Sequence, residues 1–535
     1  MAGTSDAFSD KSKKYDRQLR LWGDHGQTTL EDARVCLLNA TATGTETLKN
    51  VVLPGCGSFV VVDGEKVTEE DVGSNFFMQK DWIGKSRAEC ATALLLELNS
   101  DVTGNYLDET PHRILENRPE FFSSFSCVVA TGLEEKTLLL LDKVLCDYGI
   151  PLIIVRVYGF IGYMRIVVSE HTVIESHPDN THPDLRLDRP FDQLQKYTDS
   201  MDLSAMNKQD HGHTPFVVLL LKYLDKWRAT HDGAVPKSYK EKKEFKQLVK
   251  TGILCNEDGV PEVEENFDEA DKSVNSSLVP TKVPSEVQSI FCDDKCINIT
   301  KESSLFWILA RAVKDFVENE GEGALPLRGS LPDMTADSAR YIKLLQAYQE
   351  KAKQDAEMVT RRVQQLLKEV GKAEYSISGD EIMMFCKNSR FLRVVRCRAL
   401  SEEYNVSTAK REELGMHLEM ADDLVYYVLL RAAERFRDEH QRLPGVIDDQ
   451  LMSDVTALKS CTTAFLQELG ITTAVSHDCI HEMCRFGGSE LHTMAACLGG
   501  MAGQEVIKLV THQFVPFNNT FIYNGMTCSS VSVEL

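Results

Sequence analysis

Short apolar runs alternate with helical patterns through the first 170 residues of the chain. The runs with strand character cover residues 34–39, 58–63, 126–130, 152–158 and 163–168, and the helical patterns between them cover residues 43–53, 85–98 and 136–148. Continuous apolar runs are typical of strands that are buried on both faces of a sheet. Their alternation with helices predicts an α/β, Rossmann-like domain with a mostly parallel sheet and helices on both faces.

Between residues 170 and 480 the pattern changes to long helical stretches separated by polar loops. In one of them, opened by Pro332 and Asp333, the apolar positions repeat at helical spacing: Tyr341, Leu344, Leu345, Tyr348, Ala352, Val359, Val363, Leu366 and Leu367. This spacing predicts a long, one-sided helix. The last fifty residues return to a helix over 491–510 and a strand-like stretch over 514–523, and the pair Gly499-Gly500 is expected to let that helix pack closely on the sheet. A large, mainly helical insertion therefore interrupts the sheet domain.

Composition and charge narrow the class of protein. The 535 residues include 59 Lys+Arg and 81 Asp+Glu, which gives a net charge of -22. Such an acidic chain disfavours broad contact with nucleic acid or anionic lipid. No apolar stretch approaches the roughly 18 residues that a membrane helix needs, so we expect no transmembrane segment. Fifteen scattered cysteines without a leader sequence predict reduced thiols, no disulfides, and a cytoplasmic or nuclear location.

The turn after the first strand reads Asn39-Ala-Thr-Ala-Thr-Gly44, and Asp63 ends the second strand. In a nucleotide-binding βαβ unit, glycines in this turn let the backbone approach phosphates, and an acid at the end of the second strand takes the ribose hydroxyls. Here the acid is present, but most of the glycines are missing. Each replacement adds a Cβ where phosphates would lie, and Thr41 is expected to strain a turn that needs a positive φ. The pattern therefore indicates a nucleotide-binding fold that holds no nucleotide of its own.

Several motifs together resemble the adenylation domain of enzymes that activate ubiquitin and ubiquitin-like modifiers. They are Tyr15-Asp-Arg-Gln-Leu, Leu48-Lys-Asn-Val-Val-Leu-Pro-Gly-Cys-Gly, Val61-Val-Asp-Gly-Glu-Lys-Val, Ser74-Asn75 and Glu490-Leu-His-Thr-Met-Ala-Ala-Cys-Leu-Gly-Gly-Met-Ala-Gly-Gln-Glu-Val-Ile-Lys508. The motifs lie at both ends of the chain and enclose the helical insertion, as in that family. The resemblance implies three segments: residues 1–170 and 486–535 as the two parts of a pseudo-adenylation domain, and 171–485 as an insertion like the catalytic-cysteine domain, without its cysteine.

Two departures from the catalytic members indicate a silent nucleotide site. Their turn reads G-x-G-G-L-G, and their S-N-L-N-R-Q appears here as Ser74-Asn-Phe-Phe-Met-Gln79, so that Met78 replaces the phosphate-contacting arginine. A methionine cannot supply the charged fork of a guanidinium.

The cysteines also depart from the catalytic members. Cys292 and Cys296 have no second pair, so a zinc site of the family type is not expected. Cys461-Thr462 lacks the proline context of a transfer cysteine and is interpreted as a packed thiol, and the cluster His477, Cys479, His481 and Cys484 is interpreted as ordinary side chains rather than a metal site. We therefore expect no metal in this chain and, with its silent nucleotide site, no cofactor; the resemblance implies that ATP and magnesium bind instead to a catalytic subunit with which such chains pair.

Within the family, the chain is similar to non-catalytic regulatory subunits of heterodimeric activating enzymes, in particular those of the neddylation pathway. The resemblance implies that Arg17 reaches into the ATP site of a catalytic partner. It also implies that a set of residues contacts that partner: His211, Leu331, Pro332, Asp333, Met334, Thr335, Ala336, Asp337, Ser338, Ala339, Arg340, Tyr341, Ile342, Lys343 and Leu344. The implied partners are the catalytic subunit and the modifier. Contact with amyloid precursor protein stays an open alternative, and any membrane association would come through partners.

Other readings of the same residues stay open at this point. Arg17 could form a surface ion pair on the first helix, and His211 and the segment 331–344 could pack within the chain. The whole chain could be a non-catalytic adaptor, or the regulatory subunit for another ubiquitin-like modifier. A nicotinamide-dependent oxidoreductase is disfavoured because the phosphate-binding glycine turn is absent.

Overall fold

The computed structural model describes residues 13–179, 182–420 and 422–535, without the side chains of residues 374 and 448. The chain forms two compact units. Unit 1 consists of the described residues through Val173 and of Val394–Leu535, and unit 2 consists of the described part of Ile174–Arg393. By their packing, residues 394–485 belong to unit 1, whereas the functional division into 1–170, 171–485 and 486–535 stays a prediction.

Unit 1 is built on an eight-stranded sheet, and a second sheet of two strands lies where the chain passes between the units. The ten strands are β1 (Arg34–Leu38), β2 (Ser58–Val62), β3 (Thr103–Leu107), β4 (Cys127–Thr131), β5 (Leu152–Tyr158), β6 (Ile161–Val167), β7 (His171–Val173), β8 (Arg393–Val395), β9 (Thr520–Asn524) and β10 (Ser529–Val533). The large sheet has the order β10-β9-β6-β5-β4-β1-β2-β3, and β7 pairs with β8.

The α-helices are α1 (Asp16–Glu31), α2 (Ala42–Val52), α3 (Glu69–Ser74), α4 (Arg87–Glu97), α5 (Pro111–Asn117), α6 (Glu135–Tyr148), α7 (Asp192–Asp199), α8 (Lys208–Gly212), α9 (Phe216–Thr230), α10 (Tyr239–Lys250), α11 (Glu265–Ser277), α12 (Ser285–Cys292), α13 (Asp294–Ile297), α14 (Leu305–Glu318), α15 (Ser338–Glu369), α16 (Gly379–Asn388), α17 (Leu400–Tyr404), α18 (Arg411–Glu419), α19 (Val425–His440), α20 (Leu451–Glu468), α21 (His477–Phe486) and α22 (His492–Thr511). Short 3₁₀ turns cover Lys80–Trp82, Pro119–Ser124, Leu203–Ala205, Glu374–Ser376, Ser389–Phe391 and Asp448–Gln450. Among the described helices, none is long and apolar enough to cross a membrane.

The predicted α/β fold with a mostly parallel sheet is confirmed. Strands β3, β2, β1, β4 and β5 run parallel, and β6, β9 and β10 extend the sheet with antiparallel pairs. Side chains of β1 alternate between two buried layers: Cys36 and Leu38 face one apolar cluster, and Val35 and Leu37 face the other. A strand with helices on both faces buries both sets, which explains its continuous apolar run.

The pattern missed the edge strands β3 and β10. In β3 the burial pattern has no fully buried position, and β10 buries only its last residue. An edge strand needs few apolar residues because one side of it faces solvent, so its sequence carries little hydrophobic signal.

The small residues of α22 pack against another helix. A Cβ added at Gly499 would lie 2.7 Å from the Cβ of Glu46 in α2, and one at Gly503 would lie 2.7 Å from the Cβ of Asn50. A Cβ at Gly500 would meet nothing within 4 Å. The prediction that this glycine pair lets the helix pack on the sheet is therefore wrong. Gly499 allows close packing on α2 instead, and Gly500 faces open space.

Unit 2 is helical and contains the long helix α15. The apolar positions that predict it are found on its buried side, among them Leu344, Tyr348, Val359 and Val363. The helix begins at Ser338, after Asp337, whose side chain accepts a hydrogen bond from the backbone N–H of Arg340. It does not begin near Pro332 and Asp333, as the sequence suggested, because Asp337 makes the capping hydrogen bond at the helix start.

Candidate functional site

The candidate nucleotide site lies at β1, where the order of the parallel strands in the sheet reverses. Strand β1 is flanked by β2 on one side and by β4 on the other, so chain connections leave it in opposite directions. In open α/β sheets, ligands bind at the carboxyl ends of the strands at such a switch point. The turn after β1 and the end of β4 meet here, and their residues decide what the site can hold.

Asn39 and Thr131 tie this turn to β4. Asn39 has φ of 66°, its Nδ2 donates to the backbone oxygen of Thr131 at 3.0 Å, and Thr131 Oγ1 donates to the oxygen of Asn39 at 2.8 Å. Asparagine tolerates this left-handed conformation better than most residues. The expected strain at Thr41 is absent: its φ is -66°, and its Oγ1 caps α2 by accepting from Gly44 N at 3.2 Å.

Gly44 is kept for packing. A Cβ at this position would lie 2.8 Å from the backbone oxygen of Asn39 and 2.9 Å from Thr131 Oγ1. This is the role of the third glycine in a nucleotide-binding turn, which brings helix and strand close together. The sequence therefore retains the glycine that the fold needs and has lost those that a phosphate needs.

A carboxylate of the chain itself lies at the start of α2. Glu490 Oε2 accepts hydrogen bonds from Thr43 N at 2.8 Å and from Thr43 Oγ1 at 3.0 Å. The first turn of the helix after β1 is where a dinucleotide places its pyrophosphate, because free N–H groups and the helix dipole favour an anion there. Burial raises the pKa of Glu490, while the bonds from Thr43 act in the opposite direction. A carboxyl group of the chain itself thus takes the hydrogen bonds that a phosphate would use.

Asp63 is occupied as well. It is fully buried, its Oδ2 accepts from Ala40 N at 2.8 Å and from Arg87 Nε at 2.6 Å, and its Oδ1 accepts from Glu65 N at 2.8 Å. Arg87 also reaches Asp71 at 3.2 Å. The carboxylate that would bind ribose hydroxyls is therefore committed to the turn and to an arginine of α4.

Met78 completes this arrangement, because it packs into the apolar core with 5% of its surface exposed. It presents no charge to the switch point. The filled helix start, the committed Asp63 and the missing arginine show that this site does not fit a bound nucleotide.

Arg17 lies between two anchoring residues at the start of α1. Tyr15 is buried and its hydroxyl donates to Asp101 Oδ2 at 2.9 Å, while Gln18 Nε2 donates to the backbone oxygen of Pro54 at 2.7 Å. Arg17 itself is exposed and has no ion pair or hydrogen bond among the described residues. The surface ion pair of this turn belongs instead to Arg20, which contacts Asp16 at 3.1 Å.

The segment 331–344 is fixed to unit 2 by polar contacts. Thr335 donates to Glu269 from its backbone N at 2.8 Å and from its Oγ1 at 2.6 Å. Arg340 contacts Asp337 at 2.8 Å and Asp210 at 3.2 Å, and its backbone oxygen accepts from the hydroxyl of Tyr197 at 2.8 Å. These contacts hold the loop and the first turn of α15 in one conformation.

The same segment divides into exposed and buried side chains. Ile342 is 51% exposed, and Asp333, Ser338, Ala339 and Lys343 are exposed beside it, whereas Leu344 has no exposed surface. Leu344 is one of the implied partner contacts; it lies in the core of unit 2, and its contact with a partner stays a prediction. Among the large apolar side chains of this segment, Ile342 is the most exposed.

His211 is buried within unit 2. Its exposed fraction is 3%, its Nδ1 lies 2.6 Å from Glu264 Oε1, and its ring stacks on Phe267 with centroids 5.2 Å apart. This is the intrachain packing considered above. Contact between His211 and a partner stays a prediction, and its ring has little free surface with which to make one.

The cysteine and histidine candidates show no reactive geometry. Cys461 is buried on α20, and burial raises the pKa of its thiol. All fifteen cysteines have free thiols. Within the described ranges, no group of three or more His, Cys, Asp or Glu residues is placed to hold a metal ion, including the residues 477–484.

Glu490 and Arg87 fill this site, and the sequence analysis did not single out either residue. Glu490 begins one of the family motifs, but 447 positions separate it from Thr43, so the hydrogen bond between the two residues could not be inferred from the sequence. Arg87 follows Ser86, which caps α4, and no motif in the sequence linked this arginine to Asp63.

Comparison with known proteins now defines the class. The chain belongs to the ThiF family, whose model matches residues 15–534. The family resemblance drawn from the motifs is therefore confirmed.

The curated relatives narrow the class further. The chain is 53% identical over 532 residues to a protein of Danio rerio named NEDD8-activating enzyme E1 regulatory subunit, covering 99% of this chain and 100% of the relative. A protein of Xenopus laevis with the same name is 55% identical over 526 residues, covering 98% and 99%. A relative in Arabidopsis thaliana, NEDD8-activating enzyme E1 regulatory subunit AXR1, is 41% identical, covering 98% and 96%.

Proposed function

We propose that this chain is the regulatory subunit of a heterodimeric enzyme that activates the ubiquitin-like modifier NEDD8. In the proposed reaction, the C-terminal carboxylate of the modifier attacks the α-phosphorus of ATP, which gives an acyl-adenylate and releases pyrophosphate. A cysteine thiolate of the catalytic subunit then attacks the acyl carbon, forms a thioester and releases AMP. ATP and magnesium bind to the catalytic subunit, and this chain contributes residues and surface to the pair.

The observation that carries this proposal is the division of roles within unit 1. The nucleotide site of the chain is filled by Glu490 and by the pair of Asp63 and Arg87, yet the fold around it is intact. At the same time Arg17 is exposed and without a partner among the described residues. The chain thus keeps the fold of an adenylation domain, fills its own nucleotide site and leaves Arg17 free on its surface. These features fit a subunit that acts on the ATP site of a partner subunit. Full-length relatives that are named as regulatory subunits support this assignment.

The proposed role of Arg17 follows from the charge that develops on phosphate oxygens during adenylation. A guanidinium supplied by a second subunit stabilises that charge, and in phosphoryl transfer such arginines raise rates by roughly 10³ to 10⁵. Adenylation occurs at a different phosphorus, so this range is an upper limit. Tyr15 and Gln18 anchor the backbone on either side of Arg17, which reduces the conformational entropy lost when it binds.

The proposed dimer surface includes the exposed part of the segment 331–344. Ile342 offers an apolar contact, and the hydrogen bonds of Thr335 and the ion pairs of Arg340 hold the segment ready before a partner binds. A surface that is ordered in advance loses less entropy on association than a mobile one.

The decisive experiment measures ATP–pyrophosphate exchange by the catalytic subunit with the modifier. The reaction is compared with no added chain, with this chain, and with its Arg17→Ala and Arg20→Ala variants at equal dimer occupancy. Arg20 is the matched control because it lies on the same exposed helix start but is engaged with Asp16. We expect exchange to require the chain and to fall at least about tenfold for Arg17→Ala, with Arg20→Ala unchanged.

Two results would contradict parts of the proposal. Equal exchange for the wild type and for Arg17→Ala would leave the chain as a scaffold that contributes assembly alone. Exchange that is independent of the chain, or absence of a dimer, would favour the non-catalytic adaptor.

A further inference from the structure

Unit 2 contains a cavity of about 210 Å³, and of its lining residues only Leu331 and Pro332 belong to a surface discussed above. Its walls come from four segments that are distant in sequence, with residues 182–186, 281–282, 325–332 and 387–391. Small-molecule sites usually measure about 300 to 1,000 Å³. The cavity is therefore large enough for one or two side chains of a peptide and too small for a nucleotide or a dinucleotide cofactor.

The walls are held in place by hydrogen bonds. Arg186 forms a two-point ion pair with Asp184 at 2.8 and 3.0 Å, and its Nη2 donates to the backbone oxygen of Leu325 at 2.7 Å. Thr281 donates to Asp188 from its backbone N at 2.7 Å and from its Oγ1 at 2.6 Å. The charge of Arg186 is thus neutralised by Asp184, and its function here is structural.

The remaining charged residues at the cavity are cations without counter-ions. Lys282 and Lys387 are exposed, Arg390 is half-buried, and none of the three has a carboxylate partner in the part of the chain that the structure describes. The guanidinium of Arg328 lies 5.5 Å from the centroid of the Phe391 ring. In a chain with a net charge of -22, these three cations and the neighbouring Arg328 form a local positive field at the cavity that attracts carboxylates.

The cavity also has an apolar wall. Leu325 and Pro326 are buried, and Leu331 and Phe391 are half-buried with part of their surface facing the cavity. A combination of an apolar wall with a cationic rim suits a peptide that carries an apolar side chain flanked by acidic residues. A free phosphate would use the cations but not the apolar wall.

We infer that this cavity binds an acidic segment of the catalytic subunit, with an apolar side chain inserted between carboxylates that contact Lys282, Lys387 and Arg390. The inference rests on the proposed function, because the partner is placed by continuity: Leu331 and Pro332 line the cavity and begin the segment 331–344 of the proposed dimer surface. The acidic segment extends that surface beyond the first turn of α15.

The test compares two double variants of the full-length chain that change the net charge equally. Lys282→Glu with Lys387→Glu alters the rim of the cavity. Lys243→Glu with Lys272→Glu, on α10 and α11, alters two exposed lysines of the same unit that also lack a counter-ion among the described residues. Dissociation constants of the heterodimer are measured by calorimetry at several salt concentrations. We expect the cavity variant to bind at least about fivefold more weakly at low salt and with a flatter salt dependence, and the control variant to resemble the wild type.

Zero-length cross-linking tests the contact directly. A carbodiimide joins a lysine amine to a nearby carboxylate as an amide, with the water lost taken up by the reagent. We expect Lys282 or Lys387 of the assembled wild-type dimer to be joined to Asp or Glu of the catalytic subunit.

Three results would overturn the inference. The cavity and control variants could bind equally at every salt concentration, or the two lysines could form no cross-link to the partner in an assembled dimer. Both results would leave the proposed function intact. Absence of any dimer would instead remove the proposed function and the inference together.

Discussion

The contact between Glu490 and Thr43 gives the sharpest prediction about the closed nucleotide site. Replacing Glu490 by alanine removes the acceptor of two hydrogen bonds, at 2.8 Å from Thr43 N and 3.0 Å from Thr43 Oγ1. Hydrogen bonds to charged groups contribute about 1.5 to 3 kcal/mol each, and the desolvation of the carboxylate offsets part of that sum. We therefore expect Glu490→Ala to lower the free energy of unfolding by about 1 to 3 kcal/mol.

Glu490→Gln separates the hydrogen bonds from the charge. The side-chain oxygen of glutamine can still accept from Thr43, and no charge is buried. Because burial raises the pKa of Glu490, ionisation favours the unfolded state, and the stabilising effect of the protonated form is lost as the pH rises above the ordinary carboxyl range. At neutral pH we therefore expect Glu490→Gln to be at least as stable as the wild type.

The assay combines urea unfolding with hydrogen exchange of the peptide that covers the start of α2. Glu482→Ala is the matched control, since Glu482 is a neighbouring glutamate whose partner is the exposed Arg485 of its own helix. We expect Glu490→Ala, but not Glu482→Ala, to accelerate exchange at residues 43–45. Wild-type stability and unchanged exchange in Glu490→Ala would refute the view that this carboxylate holds the helix start. Neither Glu490→Ala nor Glu490→Gln should bind ATP, because Asp63 stays paired with Arg87 in both.

Three further changes test the packing and electrostatics of unit 1. Gly499→Ala should cost about 1 to 3 kcal/mol in chemical unfolding because its Cβ would clash with α2, whereas Gly500→Ala should gain up to about 1 kcal/mol from helix propensity; equal effects would contradict the packing described. Asp63→Asn should cost about 1 to 3 kcal/mol, since it removes the closer of the two carboxylates that contact Arg87 and leaves that arginine with Asp71 alone, and a neutral result in the same assay would argue against that ion pair. Burial is the largest cause that lowers the pKa of His171 to about 3, and the neighbouring His512 acts in the same direction, so the contribution of His171 to stability is present above pH 6.5 and is lost as the pH falls toward 3. His171→Gln should therefore flatten the plot of unfolding free energy against pH between those values. An unchanged slope would contradict this.

The parallel strands could be predicted from the sequence because their burial on both faces requires continuous apolar runs. Strand β5 was predicted with its observed bounds, and β1, β2 and β4 within one residue at each end. The edge strands could not be predicted in this way, because exposure removes the hydrophobic pattern on which the method depends. The start of α15 was misplaced for a related reason: proline and aspartate at 332 and 333 are common before helices, but the capping bond is made by Asp337.

For the candidate site, too, the features encoded in short motifs could be predicted, whereas contacts between residues distant in sequence could not. The loss of the phosphate-binding glycines and of the arginine at Met78 is visible in short motifs. The groups that replace the nucleotide are not, because Glu490 comes from a helix start 447 positions away from Thr43. Arg17 could be singled out from its motif, but only the fold shows that Tyr15 and Gln18 are its anchors and that it has no ion pair among the described residues.

The internal replacement of the nucleotide explains how an adenylation fold can persist without its ligand. A nucleotide-binding turn leaves free N–H groups at a helix start and a buried acid at the end of β2, and both are costly when nothing binds to them. In this chain Glu490 satisfies the first and Arg87 the second, so the sheet, the turn and Gly44 keep their geometry without ATP. Unit 1 therefore needs no ligand to satisfy the polar groups of this turn. In the proposed function, such a subunit needs no nucleotide of its own to present Arg17 to the ATP site of its partner.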